Sequence, residues 1–142
     1  MYMLLTLRAV AVIELQGNKF TGPLPATLMT NPNMLAINLE NNSFTGPFPT
    51  GIGQLQRLTD LRLSSNNLSA SIPTELFQLT ALTGFFADSS NLQGTLSEDF
   101  SLLNGTLRNL ILSNNNLSGP IPAAFDQLTS LGKSPQMAVL EV

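Results

Sequence analysis

Apolar residues recur along most of the chain at fixed distances from one polar residue, which is usually an asparagine. Relative to that residue, apolar side chains stand at positions −8, −5, −3 and +2. The pattern is centred on Asn18, Asn42, Asn66, Ser90 and Asn115. The centres are 24 residues apart, except that one extra residue near 104–106 makes the last spacing 25. Self-similarity at this period predicts a solenoid of stacked repeats.

The apolar residues at −5 and −3 predict a short strand in every repeat. One residue separates them, which is the alternation of a strand with a single buried face. The pairs are Ile13 and Leu15, Ile37 and Leu39, Leu61 and Leu63, Phe85 and Ala87, and Leu110 and Leu112. Because such short strands are unstable alone, we expect them to stack in register as one parallel sheet with a continuous core.

The central asparagine follows the predicted strand at the point where the chain turns. Its amide can both donate and accept hydrogen bonds, so a stack of such residues can satisfy the backbone of its own and neighbouring turns. We expect this ladder at Asn18, Asn42, Asn66 and Asn115. Ser90 has a shorter side chain at the equivalent position. The fourth repeat is therefore predicted to be a local weak point.

Glycine and proline mark the rest of each repeat. Glycine stands at +4 in Gly22, Gly46, Gly94 and Gly119, with Ala70 as the exception, and permits a positive φ or a close backbone approach. Proline follows at Pro25, Pro49, Pro73 and Pro122, with Ser97 in the fourth repeat. Proline has no N–H and a fixed φ, which favours an extended or 3₁₀ segment. Inward-facing apolar residues follow at Leu28, Ile52, Leu76, Phe100 and Phe125.

The segments LRLSSNNLSASIPTELFQLTAL and LILSNNNLSGPIPAAFDQLTSL resemble the plant-specific class of leucine-rich repeat, LxxLxLxxNxLxGxIPxxLxxLxx. This family includes ectodomains of receptor-like proteins and kinases and polygalacturonase-inhibiting proteins. The resemblance implies an α/β-type repeat solenoid, a right-handed superhelix with a parallel β-sheet on its concave face and 3₁₀ or extended segments on its convex face. It also implies recognition of a protein, peptide or glycan. The chain departs from extracellular members in lacking cysteine-paired caps.

One solenoid domain over 1–142 is expected. Its repeats would be 10–33, 34–57, 58–81, 82–106 and 107–130, and 131–142 would be a degenerate tail or the start of a sixth repeat. Met1–Ala9 matches the back half of a preceding repeat, and Met137–Val142 has the pattern of another strand. Solenoids need polar caps at their ends, and the sequence shows none. We therefore expect the chain to be a fragment of a longer protein. The alternative is that Met1–Leu7 forms a makeshift cap and the tail is disordered.

Residues between the strand leucines should form three columns on the concave face. They are Val12, Ala36, Asp60, Gly84 and Asn109; Glu14, Asn38, Arg62, Phe86 and Ile111; and Gln16, Glu40, Ser64, Asp88 and Ser113. Phe86 and Ile111 are adjacent in the middle column and are expected to face water, and aromatic anchors beside polar groups are typical of binding hot spots. The candidate ligand-binding residues are Arg62, Phe86, Asp88, Ile111, Asp60 and Glu40. Their acidic balance favours a basic or hydroxyl-rich partner. The alternative is that single exposed apolar residues are normal and that an extra loop or a missing repeat covers them.

Composition excludes several classes of function. The net charge is −3 and the estimated pI is about 4.6, which argues against nucleic acid as a partner. Without cysteine or histidine there are no disulfides, no Cys/His metal site and no Ser-His nucleophile. Glu98 and Asp99 are the nearest approach to a catalytic carboxylate pair, but their repeat position predicts a solvated convex location. We therefore expect no enzymatic activity and no cofactor.

Four sequons, Asn41, Asn67, Asn104 and Asn116, are possible N-glycosylation sites if the protein enters the secretory pathway. Asn104 is the best candidate because it lies at the insertion. The apolar N-terminus is a poor signal peptide, since it lacks a basic start and contains Arg8, and it is too short for a membrane span. No membrane segment is expected in the chain itself, although the parent protein could be membrane-anchored.

Together these features predict a non-catalytic recognition module that binds a protein, peptide or glycan on its concave face. It would belong to a receptor-like or cell-surface protein and lie outside the cell. A secreted inhibitor-type wall protein and an intracellular scaffold remain as alternatives.

Overall fold

The computed structural model describes residues 10–132. The predictions for Met1–Ala9 and Met137–Val142 concern segments outside these residues. Within them, short strands alternate with 3₁₀ helices. The strands are β1 Val12–Glu14, β2 Thr21–Pro23, β3 Ala36–Asn38, β4 Ser43–Thr45, β5 Asp60–Arg62, β6 Gly84–Phe86, β7 Gln93–Thr95, β8 Asn109–Ile111 and β9 Asn116–Ser118. The 3₁₀ helices are Ala26–Thr30, Thr50–Gln54, Thr74–Gln78, Glu98–Leu103 and Ala123–Gln127.

The main sheet is parallel and has the order β1-β3-β5-β6-β8 in the described part of the chain. Its register pairs Val12 with Ala36, Ala36 with Asp60, Asp60 with Gly84, and Gly84 with Asn109. The alternation at −5 and −3 therefore places equivalent residues side by side, as predicted. We call the solvent-facing side of this sheet the concave face.

The 3₁₀ helices lie on the opposite side, and each begins directly after the predicted proline or its replacement. Pro25, Pro49, Pro73 and Pro122 are extended N-cap residues without a side-chain cap. Ser97 replaces proline and accepts a hydrogen bond from the Asp99 N–H, 3.0 Å long. The extra residue of the fourth repeat is accommodated here, because Glu98–Leu103 has 6 residues where the others have 5.

The core lies between the sheet and the 3₁₀ helices. Leu61 and Leu110 from the strands are buried, as is Leu63 directly after β5. Phe100 packs between Phe77 and Phe125, with ring centroids 4.9 Å and 5.0 Å away. The first described repeat differs, since two residues at predicted core positions are exposed, Leu15 at 37% and Phe20 at 45%. The equivalent residues of the next repeat are buried, Leu39 at 1% and Phe44 at 4%.

The asparagine ladder is present where the sequence places it. The Asn66 amide nitrogen donates to the carbonyl oxygens of Leu39 at 3.0 Å, Leu63 at 2.9 Å and Ser64 at 3.3 Å. Its Oδ1 accepts from the Phe44 N–H at 3.0 Å. Asn42 and Asn115 make equivalent contacts, and Asn18 bonds its own turn. The rungs at Asn42, Asn66 and Asn115 therefore each join two adjacent repeats.

Ser90 fulfils only part of this role. It is fully buried, and its hydroxyl donates to the carbonyl oxygens of Leu63 and Asp88 at 2.8 Å and 3.1 Å. An asparagine at position 90 would accept a hydrogen bond from the Leu68 N–H through its side-chain oxygen. Here the Leu68 N–H donates instead to the Ser90 carbonyl oxygen, 2.9 Å away. The backbone thus replaces the missing amide oxygen. That the fourth repeat is a weak point stays a prediction.

Candidate functional site

The concave face brings together most of the residues that the sequence singled out. The middle column runs Glu14, Asn38, Arg62, Phe86 and Ile111, with each residue paired to the next across the sheet. A shallow depression of about 420 Å³ lies on this face. It is lined by Glu40, Asn41, Arg62, Ser64, Ser65, Phe86, Asp88 and Ile111. Five of the six candidate residues are therefore part of one surface feature, and Asp60 lies beside it.

Asp60 influences the depression by binding the Arg62 side chain, which lines it. The Arg62 Nε lies 2.7 Å from Asp60 Oδ1, and Arg62 Nη2 lies 3.4 Å from Oδ2. The side chains are two residues apart on β5, so they point to the same face. The hydrogen bond to Asp60 raises the pKa of Arg62 above its ordinary value. The pair fixes the guanidinium, since two parallel bonds define its plane.

The burial of Phe86 differs from the expectation from the sequence. We expected this ring to face water, but only 7% of the residue is exposed. The Arg62 guanidinium carbon lies 4.4 Å from the ring centroid and covers it. An arginine over an aromatic face is an attractive cation–π arrangement. Phe86 is thus on the concave face as predicted, but it forms a floor under Arg62 instead of an exposed anchor. Ile111, in contrast, is partly exposed.

The acidic side of the depression belongs to the third column. Ser64 is buried, and its hydroxyl donates to Asp88 Oδ1 at 2.5 Å. The pKa of Glu40 is raised above 4.5, mainly because burial penalises its charged form, and Asp88 and Asp60 add to this. Arg62 acts in the opposite direction. A carboxylate in this position favours any ligand group that brings positive charge or a hydrogen-bond donor.

The carboxylates considered for catalysis have structural roles. Glu98 accepts hydrogen bonds from the backbone N–H groups of Ala123 at 3.1 Å and Ala124 at 2.9 Å. It therefore caps the start of the next 3₁₀ helix. Asp99 Oδ2 accepts from the Ser97 hydroxyl at 2.9 Å. Within residues 10–132 there is no group of three or more Asp or Glu side chains arranged to hold a metal ion.

Sequence reasoning missed a set of residues at position −1, just before the ladder. Gly17, Asn41, Ser65, Ser89 and Asn114 all have a positive φ, between 52° and 70°. Asn41 and Ser65 line the depression. The signal was available in the sequence, because small or amide residues are those that tolerate this conformation. A second missed ladder joins the strands, with the Thr59 and Thr83 hydroxyls donating to the Leu35 and Thr59 carbonyls.

All four sequon asparagines are exposed, but they lie on different faces. Asn41 borders the concave depression. Asn116 is the first residue of β9, and Asn67 forms an isolated bridge to Thr45. Asn67 Oδ1 accepts a hydrogen bond from the Asn91 amide at 2.9 Å. Asn104 ends the longest 3₁₀ helix of the described chain. A glycan on Asn41 alone would stand at the depression.

Comparison with known proteins identifies the fold family. The Leucine Rich Repeat family model matches residues 33–55, 57–79 and 106–128. A search of curated proteins found no match. The chain contains leucine-rich repeats and has the solenoid fold that such repeats form, as the sequence motif indicated.

Several solved structures of plant proteins are similar to the chain. The PEPR1–AtPEP1 complex is 37% identical, with a TM-score of 0.81 over 84% of this chain and 17% of that one. The Arabidopsis receptor kinase HAESA, with the peptide hormone IDA and the co-receptor SERK1, is 32% identical, with a TM-score of 0.79 over 84% and 20%. A plant ice-binding protein is 28% identical, with a TM-score of 0.74 over 82% and 37%. The chain thus spans about a fifth of the receptor structures.

A membrane-crossing helix would need a long apolar segment, and none of the helices in the described residues has one.

Proposed function

We propose that this chain is a non-catalytic recognition module that holds a peptide segment of its ligand on the concave face. The observation that carries the proposal is the depression between the middle and third columns, which combines Ile111, the Arg62–Phe86 stack and the Glu40 and Asp88 carboxylates. Apolar surface beside polar groups of fixed orientation suits recognition. The similarity to receptor structures solved with peptide hormones supports a peptide as the ligand class.

Rigidity supports the same proposal. The sheet backbone is held by the asparagine ladder, and Arg62 is already bonded to Asp60. A surface that is ordered before binding loses less conformational entropy when a ligand arrives. The carboxylates favour a ligand with a basic or hydroxyl-rich group opposite Glu40 and Asp88.

Selection from a random peptide display library tests this proposal with a matched pair of variants. Ile111→Asp changes the partly exposed residue in the depression, whereas Ile121→Asp changes an exposed isoleucine outside the concave sheet. We expect the peptides selected on the unchanged protein to lose at least about tenfold in affinity for Ile111→Asp. They should keep their affinity for Ile121→Asp. Equal losses, or no selectable peptide, would contradict the proposal.

We further propose that the parent protein displays this module outside the cell, as part of a receptor-like or cell-surface protein. The similarity to receptor-kinase ectodomains supports it, and the exposed sequons Asn67, Asn104 and Asn116 are compatible with glycan attachment. Expression of the chain behind a secretion signal, followed by glycosidase treatment and mass spectrometry, tests the sequons. Glycans at these sites support the proposal, and a secreted chain with every sequon unmodified contradicts it.

The two alternatives from the sequence are outcomes of a parallel experiment. A wall protein of the inhibitor type would bind cell-wall enzymes or polysaccharides. An intracellular scaffold would bind cytoplasmic proteins. Binding of either class that is weakened by Ile111→Asp and not by Ile121→Asp would replace the peptide proposal.

A further inference from the structure

The depression exists because two neighbouring side chains lean the same way. Arg62 bends toward Asp60, which stands two residues earlier on its own strand. Phe86 bends toward Gly84, which likewise stands two residues earlier. Both therefore lean toward the first column and away from Ser64 and Asp88 in the third. The space that they vacate is the depression.

Different forces hold the two side chains. Asp60 holds Arg62 by a bidentate ion pair. Gly84 holds Phe86 by having no side chain, since the ring occupies the space where a Cβ would be. An added Cβ at Gly84 would lie 2.6 Å from Phe86 Cε2 and 3.1 Å from Asp60 Oδ2. Gly84 is also the glycine of its column, whose other members are Val12, Ala36, Asp60 and Asn109.

We propose that Gly84 is the positioning residue of the binding site, which keeps the depression open by giving the Phe86 ring a place against the sheet. Gly84 needs no positive φ here, so its conformational freedom is not the reason for a glycine. The requirement comes from the ring. The inference rests on the proposed function for its meaning, because it explains which residue sets the shape of the ligand site.

Gly84→Ala should therefore change the site and leave the fold intact. The atom that the new methyl group meets first is the tip of a flexible ring, which can rotate to another staggered position. Alanine is also better than glycine within a strand. The ring then moves outward or toward Ser64 and Asp88, takes Arg62 off its face and fills the depression.

The Arg62 side-chain resonance reports this without any ligand. A proton above an aromatic face is shifted upfield by the ring current, so the Arg62 Nε–H signal in a nitrogen–proton spectrum should be displaced in the unchanged protein. Phe86→Ala defines its position without a ring. We expect Gly84→Ala to move the signal toward that position, at an unchanged melting temperature. Val12→Ala, in the same column but two strands away from Asp60, should leave it in place. An Arg62 signal that stays where it was in Gly84→Ala overturns the proposal.

Binding supplies the second test, with a peptide selected on the unchanged protein from a random display library. Gly84→Ala should weaken it by at least about tenfold. If Gly84 acts through the ring, adding Gly84→Ala to Phe86→Ala should have no further effect. Additive losses would overturn the proposal. If no peptide is selected, the proposed function fails, and the Arg62 resonance still decides the role of Gly84.

Discussion

The two sets of strands in this solenoid respond differently to the same irregular sequence. The concave sheet continues through every described repeat, from β1 to β8. The strands that follow the ladder, which we call the flanking strands, form two separate pairs, β2 with β4 and β7 with β9. An isolated bridge from Thr45 to Asn67 stands in the gap between them. The break lies where the third repeat meets the fourth.

Two substitutions in the repeat explain the break. Gly22, Gly46, Gly94 and Gly119 have φ between 80° and 85°, but Ala70 stands at this position in the third repeat. A Cβ disfavours that conformation, and the preceding Ser69 takes a φ of 49° instead. In the fourth repeat the Ser90 carbonyl turns to the Leu68 N–H, and Asn91 takes a φ of 56°. Because Ser69 and Asn91 are not extended, the flanking strands do not continue from the third repeat to the fourth.

The concave sheet avoids this sensitivity because its strands need only extended backbone and an apolar residue on the inner side. Phe85, Ala87 and Gly84 differ greatly in size, yet β6 pairs on both sides. The comparison shows that the repeat tolerates changes of side-chain size better than changes at positions that set a turn. Variation in side-chain size is therefore accommodated more easily on the concave face.

The largest expected effect comes from breaking a rung that supports both sets of strands. Asn66→Ala removes hydrogen bonds to three carbonyls and leaves the Phe44 N–H without its acceptor. Because unsatisfied buried groups cost about 1–3 kcal/mol each, we expect a loss of roughly 2–4 kcal/mol in the free energy of unfolding, measured by urea denaturation. The exposed neighbour Asn67→Ala should cost much less. Equal losses for the two variants would refute the ladder as the main support.

The next effect concerns the convex side of the repeats beyond the break. Glu98→Ala removes the acceptor for the Ala123 and Ala124 N–H groups. Loss of a capping side chain costs about 1 kcal/mol, which urea denaturation can detect. Glu75→Ala is the matched control from the preceding repeat, since its carboxylate bonds only the neighbouring Thr74 in the described contacts. A control variant as destabilised as Glu98→Ala would argue against the cap.

The stability gained by repairing the break between the flanking strands should be smaller than either of these losses. Ser90→Asn together with Ala70→Gly supplies the missing amide oxygen and the residue that tolerates a positive φ. We expect the flanking strands to join, with a gain of at most about 1 kcal/mol, the net value of a typical hydrogen bond. Amide hydrogen exchange at residues 68–71 and urea denaturation measure this. If exchange is unchanged in the double variant and in both single variants, another cause of the break must be sought.

The smallest expected effect is electrostatic and lies on the concave face. A carboxyl whose folded-state pKa is raised, as that of Glu40 is by burial and by Asp88 and Asp60, destabilises the folded state once it ionises. Glu40→Gln should therefore be slightly more stable than the unchanged protein at about pH 7. The difference should fade as the pH falls through the raised pKa of Glu40 and then below the ordinary pKa of a glutamate, because the side chain is then protonated in both the folded and the unfolded state. Urea denaturation across this range tests it, with Glu75→Gln as the control; a difference independent of pH contradicts it.

Several features of the fold could be derived from spacing alone. The centres at Asn42 and Asn66 predicted both the ladder and the strand register, because identical spacing puts equivalent groups side by side in a parallel sheet. The prolines predicted where the 3₁₀ helices start. Those inferences needed only local rules repeated along the chain.

The candidate site was predictable only as a list of residues. The columns placed Arg62, Phe86 and Ile111 correctly, but exposure of Phe86 was predicted wrongly. A strand pattern states which face a side chain leaves from, not which way it then bends. The direction in which Arg62 and Phe86 bend depends on neighbouring residues such as Asp60 and Gly84. Their effect on the side chains is visible only in the folded sheet.

The sequence by itself determined the repeat, the parallel sheet, its register and the residues of the concave face, because the 24-residue spacing imposes the same local conformation on each unit. Only the tertiary structure decided that Arg62 covers Phe86, that Glu98 caps the next repeat and that the flanking strands part near Ala70. These features depend on how one repeat differs from its neighbour. Differences of that kind act through contacts between repeats, which no single repeat encodes.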